Sequence, residues 1–238
     1  MQRWLGLLWL CSFSLFGGQL AIVIDDLGYA PMPPALSQLP KEISIAILPF
    51  TRYDQDIASQ AHTEQRDVLL HLPLEARNPA PEEPGTLKLA MPRHDVDLRV
   101  TEFIERLPDI VGVNNHMGSA YTEHAAQVDW IMAVIARYDL AFLDSRTSLS
   151  SVAADVAKTH QIPTLRRDIF LDHIIDKDYI RQQLHMAASL ANDRGYAVAI
   201  GHPYPETLQV LQQEIPHLSV ELVPLSSLWD AQRFLRGN

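Results

Sequence analysis

The chain has 238 residues, of which 47% are hydrophobic and 20% are charged, and its formal net charge at pH 7 is −10. This length and composition allow a full buried core and favour a single domain of the size common among α/β barrels. The negative charge argues against a nucleic-acid backbone or an anionic membrane as partner, and it fits a neutral or metal-bridged substrate better.

The first 18 residues differ in kind from the rest of the chain. Arg3 is their only charged side chain, the 13 residues Trp4–Phe16 form an apolar run, and two glycines follow. This layout is typical of a secretory signal peptide, and the run is short for a membrane span. We therefore predict a signal peptide at 1–18, one domain at 19–238, and a periplasmic or secreted protein without a stable membrane span. An uncleaved N-terminal anchor is the alternative.

The single cysteine of the chain, Cys11, lies in this leader. The bulky residues that precede it do not resemble a lipoprotein processing site. After cleavage the chain would contain no cysteine, which excludes disulfides, thiolate metal ligands and a cysteine nucleophile.

Strands and helices alternate in the predicted secondary structure. The first strand, at 20–24, is an apolar and largely β-branched run, as expected for a buried parallel strand. Further strands are predicted at 43–48, 67–71, 110–113, 140–143, 164–165, 196–200 and 220–223. Helices are predicted near 53–65, 94–107, 122–137, 152–159, 177–193, 205–213 and 226–235, with a long proline-rich loop at 73–92.

This alternation favours parallel strands joined by right-handed crossovers. Such strands form either a closed or nearly closed barrel or an open doubly wound sheet. No glycine-rich phosphate loop follows the first strand, which argues against a nucleotide-binding sheet. The predicted fold is therefore α/β, with a (β/α) barrel of seven or eight parallel strands.

Polar residues suited to catalysis or metal binding follow the carboxyl ends of six predicted strands. In βα barrels, active sites are built at that end. The residues are Asp25 and Asp26, His71 with Glu75, Asn115 and His116, Asp144 with Arg146, Arg166 with Asp168, and His202. For the two Asp–Arg pairs, a structural salt bridge at the barrel mouth is the alternative to direct chemistry.

Six sequence blocks around these residues resemble the signature blocks of the divergent polysaccharide deacetylase family. They are IDDLGY at 24–29, HLPLE at 71–75, NNHMGS at 114–119, LDSRT at 143–147, RRD at 166–168 and GHPYPET at 201–207. The resemblance implies a relationship to the NodB-type carbohydrate deacetylases. It therefore implies a distorted barrel of about seven parallel strands and a divalent metal, usually zinc.

The same resemblance implies roles for individual residues. Asp25 matches the catalytic base of the NodB-type enzymes, Asp26 and His71 match metal ligands, and His202 matches the terminal acid. At the position of the second histidine ligand this chain has Glu75. The third ligand is therefore either Glu75 or a replacement from the next strand, His116.

The remaining residues have supporting roles in this interpretation. Arg166 or Arg146 is expected to orient the base or to stabilise an oxyanion. Asn115, Asp144, Arg146, Asp168 and Glu75 are expected to contact the substrate or to support the site.

The leading hypothesis is an exported metal-dependent hydrolase that removes acetyl groups from a polysaccharide, such as a peptidoglycan-like envelope glycan. A catalytically degenerate barrel that binds a glycan or a partner is the alternative. The replacement at Glu75 motivates that alternative, because an altered ligand set can retain binding and lose turnover. Hydrolysis of a different amide or ester would use the same site.

Overall fold

The computed structural model describes residues 17–78 and 81–236, so nearly all of the predicted signal peptide, including Cys11, lies outside the described residues. Gly18, which the prediction assigned to that leader, contacts the barrel. Its N–H donates to Asn192 Oδ1 at 2.8 Å, and its carbonyl accepts from the N–H of Glu221. Within the two described ranges, no helix has the length and apolarity that crossing a membrane requires.

Strands and helices alternate along the described ranges, as predicted, except that two short strands at Thr164–Arg166 and Ile169–Phe170 follow each other without a helix between them. The strands are β1 (Gln19–Leu27), β2 (Ser44–Ile47), β3 (Val68–Leu74), β4 (Gly112–Met117), β5 (Ala141–Asp144), β6 (Thr164–Arg166), β7 (Ile169–Phe170), β8 (Tyr196–Gly201) and β9 (Glu221–Leu222). The helices are α1 (Pro34–Ser37), α2 (Asp54–Thr63), α3 (Arg93–Arg106), α4 (Ala125–Arg137), α5 (Ala153–Thr159), α6 (Lys177–Arg194), α7 (Pro205–Glu214) and α8 (Leu225–Arg236).

The strands pair in parallel in the order β6-β5-β4-β3-β2-β1-β8-β7, and β9 pairs with the start of β1. Although β6 and β7 stand at opposite ends of this order, two residues connect them. The N–H of Arg167 donates to Asp144 O on β5, and the N–H of Asp168 donates to Val198 O on β8. One bent strand therefore joins the two edges of the sheet. The prediction of a distorted barrel of about seven parallel strands is confirmed.

Alternation along the strands separates two apolar clusters. Ile22 and Ile24 of β1 belong to the larger cluster, which the surrounding helices share. Ala21 and Val23 belong to a second cluster, which also contains inward residues of β3, β5 and β8 and the indole of Trp229 on α8. Apolar side chains therefore fill the barrel interior at the amino ends of the strands, and its carboxyl end is lined by polar groups.

Three strands extend at least three residues further than predicted, and the first of them, β1, runs to Leu27 instead of ending at 24. β3 continues through Pro73 to Leu74, and β4 continues to Met117, so Asn115 and His116 lie within a strand. The predicted helix start near Thr122 is wrong, because a 3-10 turn at Tyr121–Glu123 precedes α4. The hydroxyl of Thr122 donates back to the carbonyl of Gly118 at 2.8 Å and does not cap the helix.

Candidate active site and metal centre

A β-bulge allows two adjacent aspartates to face the same site. Successive side chains on a regular strand point to opposite faces. The pairing of β1 with β2 shifts register between Ile24 and Leu27, and Asp26 has a left-handed φ of 60°. This irregularity turns the carboxylate of Asp26 towards the interior, beside that of Asp25, which is only 3% exposed.

Three donor atoms from β1, β3 and β4 converge at the carboxyl end of the interior. Asp26 Oδ1 lies 2.9 Å from His71 Nε2 and 2.9 Å from His116 Nδ1, and the two nitrogens are 3.2 Å apart. Tetrahedral zinc with bonds of about 2.0–2.1 Å would separate its ligand atoms by about 3.3 Å. The triad Asp26–His71–His116 is thus of the right size and chemistry to hold a metal ion.

Hydrogen bonding behind His71 supports the same conclusion. Asn114 donates its amide N–H groups to both carboxylate oxygens of Asp25, at 2.9 and 3.1 Å, so its carbonyl oxygen faces His71. His71 Nδ1, at 2.9 Å from that oxygen, must therefore carry a proton. In a neutral ring, Nε2 then presents a lone pair to the Asp26 carboxylate, an arrangement that needs a cation between them.

Without such a cation, a proton takes its place. Burial alone lowers the pKa of His71, but the Asp25 and Asp26 carboxylates outweigh it and raise that pKa to about 9. For Asp26, burial opposes ionisation, yet the hydrogen bonds from His116 and His71 hold the pKa of its carboxyl well below the usual range. In the metal-free site, the proton on His71 therefore lies between this ring and the Asp26 carboxylate, where a metal ion would otherwise bind.

Asp25 is suited to accept a proton. Its Oδ2 lies 3.7 Å from His71 Nε2, next to the triad. Burial raises the pKa of Asp25, although the charges of His71 and His202 and the hydrogen bond from Asn114 act in the opposite direction. A carboxylate with a raised pKa beside a metal position is an appropriate general base.

His202 faces Asp25 and Asp26 from the end of β8. Its Nδ1 lies 2.9 Å from Asp172 Oδ1, and Asp172 Oδ2 accepts from the backbone N–H of His202 and the hydroxyl of Thr207. The other ring nitrogen, Nε2, lies 3.5 Å from Asp26 Oδ2. Burial alone would lower the pKa of His202, but the Asp172 and Asp26 carboxylates raise it. The ring is therefore held as a proton donor towards the cavity.

Arg167, and not the predicted Arg166, is the arginine that follows β6 into the site. Arg166 forms an ion pair with Asp155 of α5 at 2.7 Å. Arg167 lines the cavity, donating from Nε to Ser145 O at 2.6 Å and from its terminal nitrogen to Arg146 O at 2.9 Å. The selection of Arg166 is corrected for a simple reason: adjacent residues of a strand point to opposite faces, and the inward one is Arg167.

The other predicted site residues separate into those that line the cavity and those that support it. Asn115, Arg146 and Asp168 line it. Asp144 is fully buried and accepts from the backbone N–H of Arg146 and the hydroxyl of Ser151, so it does not form the predicted pair with the Arg146 side chain. The predicted pair of Arg166 with Asp168 is absent as well, because Arg166 pairs with Asp155. Glu75 accepts the N–H of Leu89 at 2.7 Å and lies outside the triad, which leaves His116 as the third donor.

These side chains surround an open cavity of about 650 Å³. Its lining includes the two aspartates, both triad histidines and His202, together with Arg146 and Arg167. Phe170 packs edge-on against His202, with ring centres 5.2 Å apart, and contacts the guanidinium of Arg167. The cavity therefore combines a candidate metal position, a base, an acid and a fixed positive charge.

Sequence reasoning did not identify the roles of Asn114 and Asp172 in the site. The signal for Asn114 was the two-residue alternation on β4, because Gly112, Asn114 and His116 share the inward face. Asp172 follows the short strand β7, which was not predicted as a separate element, and its contact with His202 spans 30 residues. That pairing could not be read from local spacing.

Comparison with known proteins identifies the family. The sequence model described as divergent polysaccharide deacetylase matches residues 22–229. The chain belongs to this family. It is 37% identical to an uncharacterized protein of Haemophilus influenzae, covering 94% of this chain and 81% of that protein. It is 36% identical to the uncharacterized protein YibQ of Escherichia coli, covering 91% and 69% respectively.

Two solved structures share the fold. The uncharacterized protein ATU2773 from Agrobacterium tumefaciens C58 superposes with a TM-score of 0.83 at 24% identity, covering 90% of each chain. A CE4 family pseudoenzyme from Bacillus anthracis, BA3943, superposes with a TM-score of 0.55 at 10% identity, covering 90% of this chain and 66% of that one. At these identities the comparison concerns the architecture alone.

Proposed function

We propose that this member of the divergent polysaccharide deacetylase family is an exported, metal-dependent hydrolase that removes acetyl groups from an N-acetylated glycan. The observation that carries the proposal is the convergence of Asp26, His71 and His116 beside a buried carboxylate and an Asp-supported histidine. A structural ion pair would need neither the three converging donor atoms nor the open cavity next to them.

The triad would hold the metal, and zinc fits its nitrogen and carboxylate donors. When bound, such an ion polarises a carbonyl and lowers the pKa of a coordinated water to about 7. Asp25 takes the proton from the attacking water. Asn114 keeps both Asp25 oxygens oriented, and burial keeps the carboxyl basic enough for this step.

His202 supplies the proton that the leaving sugar amine needs. The Asp172 carboxylate accepts the Nδ1–H, so Nε2, the nitrogen that carries the transferable proton of the charged ring, faces the cavity. The Asp172 and Asp26 carboxylates raise the pKa of His202 and so favour the charged ring that can donate this proton. Base and acid thus lie beside the same triad, as hydrolysis of an acetamide requires.

Positive charge for the developing oxyanion comes from the arginines of the cavity wall. Because Arg167 donates to two backbone carbonyls, its guanidinium is already held in place and needs little reorganisation during the reaction. Arg146 lies beside it, with its backbone N–H bound to the buried Asp144. Both arginines line the cavity that also contains the triad.

Export of the protein rests on the sequence of residues 1–18. The single charge, the apolar run and the small residues that follow support a periplasmic or secreted location, where an envelope glycan such as peptidoglycan is accessible. Fusion of residues 1–30 to a reporter that is active only after export tests this part. Reporter activity is expected, and a reporter retained in the cytoplasm would contradict it.

The activity is tested by acetate release from N-acetylated chitooligosaccharides and from peptidoglycan, with Asp25→Asn and His202→Ala as matched variants. The wild-type chain is expected to release acetate, chelation to abolish release, and each substitution to reduce it by about 10²–10⁴-fold. Unchanged rates in both variants would contradict the proposed chemistry.

A second function, glycan or partner binding without turnover, has one observation in its favour. The chain has Glu75 where the NodB pattern has a ligand, and a CE4 family pseudoenzyme shares the barrel fold. This function predicts saturable glycan binding without acetate release, even after metal reconstitution. The same assay therefore separates the two functions.

A further inference from the structure

The outer nitrogen of His116 is buried and has no hydrogen-bond partner within the described residues. Nδ1 of the ring belongs to the triad, and this outer atom, Nε2, lies on the other side of the ring. If Nδ1 presents its lone pair to a metal ion, Nε2 must carry the hydrogen. A buried N–H without an acceptor is unfavourable, so the site should provide one.

Glu83 places a carboxylate next to that atom. Its Oε1 lies 3.8 Å from His116 Nε2, and its side chain is only 16% exposed. This separation is too long for a hydrogen bond, but a movement of about 0.8 Å would bring it into the normal range. The proline-rich loop between β3 and α3 thus delivers an acidic group to the outer side of the triad.

The neighbours of Glu83 hold it in this place. Its Oε2 accepts a hydrogen bond from the hydroxyl of Tyr29, which follows the Asp25–Asp26 bulge in the chain. Its backbone carbonyl accepts from the N–H and the hydroxyl of Thr86. The N–H of Leu87 then donates to Pro73 O, which ties the loop to the end of β3. These contacts anchor the carboxylate close to His116 through both its side chain and its backbone.

We propose that Glu83 is a positioning residue of the metal site, which accepts the Nε2–H of His116 and so directs its Nδ1 lone pair to the metal. The inference rests on the proposed function, because it assumes that the triad holds a metal. A carboxylate behind a histidine ligand fixes the tautomer and raises the basicity of the metal-binding nitrogen. The same loop that carries Glu75 in place of a ligand thereby supports the replacement ligand, His116.

Zinc affinity of the full chain, measured by competition with a chromogenic chelator, tests this role. Glu83→Ala is expected to weaken zinc binding by about 10–100-fold. Glu83→Gln is expected to weaken it less, since an amide oxygen still accepts the N–H. Glu82→Ala is the matched control, because Glu82 is adjacent, 43% exposed and paired with Lys88. This control should bind zinc as the wild type does.

The visible spectrum of the Co(II)-loaded chain provides a second readout, which reports ligand geometry and not fold stability. The spectrum should change in Glu83→Ala and stay unchanged in Glu82→Ala. Wild-type affinity and spectrum in Glu83→Ala, or equal losses in both variants, would overturn the inference. If either of these results is obtained but the wild type releases acetate, the inference about Glu83 fails and the proposed function stands. A wild type that neither binds zinc nor releases acetate overturns both.

Discussion

Asn114 donates its side-chain amide to both carboxylate oxygens of Asp25, at 2.9 and 3.1 Å. The carbonyl oxygen of the same side chain faces Nδ1 of His71 at 2.9 Å. One neutral residue thus orients the proposed base and fixes the tautomer of a proposed metal ligand. Because all three side chains are buried, neither role can be taken over freely by water.

Asn114→Ala is therefore expected to damage both functions of the site. The Asp25 carboxylate loses its amide donor, and His71 loses the acceptor that directs its Nε2 lone pair to the triad. Zinc affinity should fall by about 10–100-fold, and stability should decrease by about 1–3 kcal/mol because buried polar groups are left unsatisfied. Chelator competition and thermal unfolding measure the two effects. Wild-type values in both would contradict the assigned role.

Zinc binding should depend on pH because His71 holds a proton in the metal-free chain. Its pKa of about 9 means that the ring is charged throughout the range from pH 6 to 8. Binding must displace that proton, so affinity should rise with pH, by about tenfold per unit if one proton is released. Calorimetry in buffers of different ionisation enthalpy counts the protons. No proton release at pH 7 would contradict the raised pKa.

Asp172→Asn should alter the pH dependence of deacetylation more than the binding of metal. The negative charge of Asp172 raises the pKa of His202, and the acid is active only while protonated, so activity is lost as pH rises through that pKa. Removing the charge lowers the pKa and moves this basic limb to lower pH. A pH–rate profile of acetate release measures the limb. A limb that does not move would show that His202 is not the titrating acid.

Substitution of two neighbouring arginines distinguishes the inward from the outward face of the strand. Arg167→Met removes the guanidinium from the cavity wall and should lower acetate release by about 10²–10³-fold, as loss of an oxyanion donor does. Arg166→Met removes only the ion pair with Asp155 on the barrel exterior and should leave the rate unchanged. Equal losses in the two variants would contradict the assignment of Arg167.

Much of the site could be predicted from where strands end. Parallel strands bring their carboxyl ends to one edge, so Asp25, His71, His116 and His202 could be grouped without knowledge of distances. The selection of Arg166 and the omission of Asn114 come from single-residue steps, since one position changes the face that a side chain occupies. Because β4 was predicted to end at 113, the alternation of its side chains between the two faces could not be followed to Asn114 and His116.

Other contacts depend on tertiary structure that no local pattern encodes. Asp172 reaches His202 only because the bent strand of β6 and β7 closes the barrel beside β8. Glu83 lies in a loop without periodicity, and its approach to His116 depends on the anchoring of that loop to β3. The bulge that turns Asp26 inward leaves no trace in the sequence beyond the aspartate pair itself.

The most direct test of the metal site is the zinc content of the wild-type chain and of three variants after reconstitution and gel filtration. Near-stoichiometric zinc is expected in the wild type and in Glu75→Gln, whose side chain can still accept the Leu89 N–H. His71→Ala and His116→Ala should lose it, because each removes a donor of the triad. Zinc retained by His116→Ala and lost from Glu75→Gln, or a wild type without metal, would contradict the assignment of Asp26, His71 and His116.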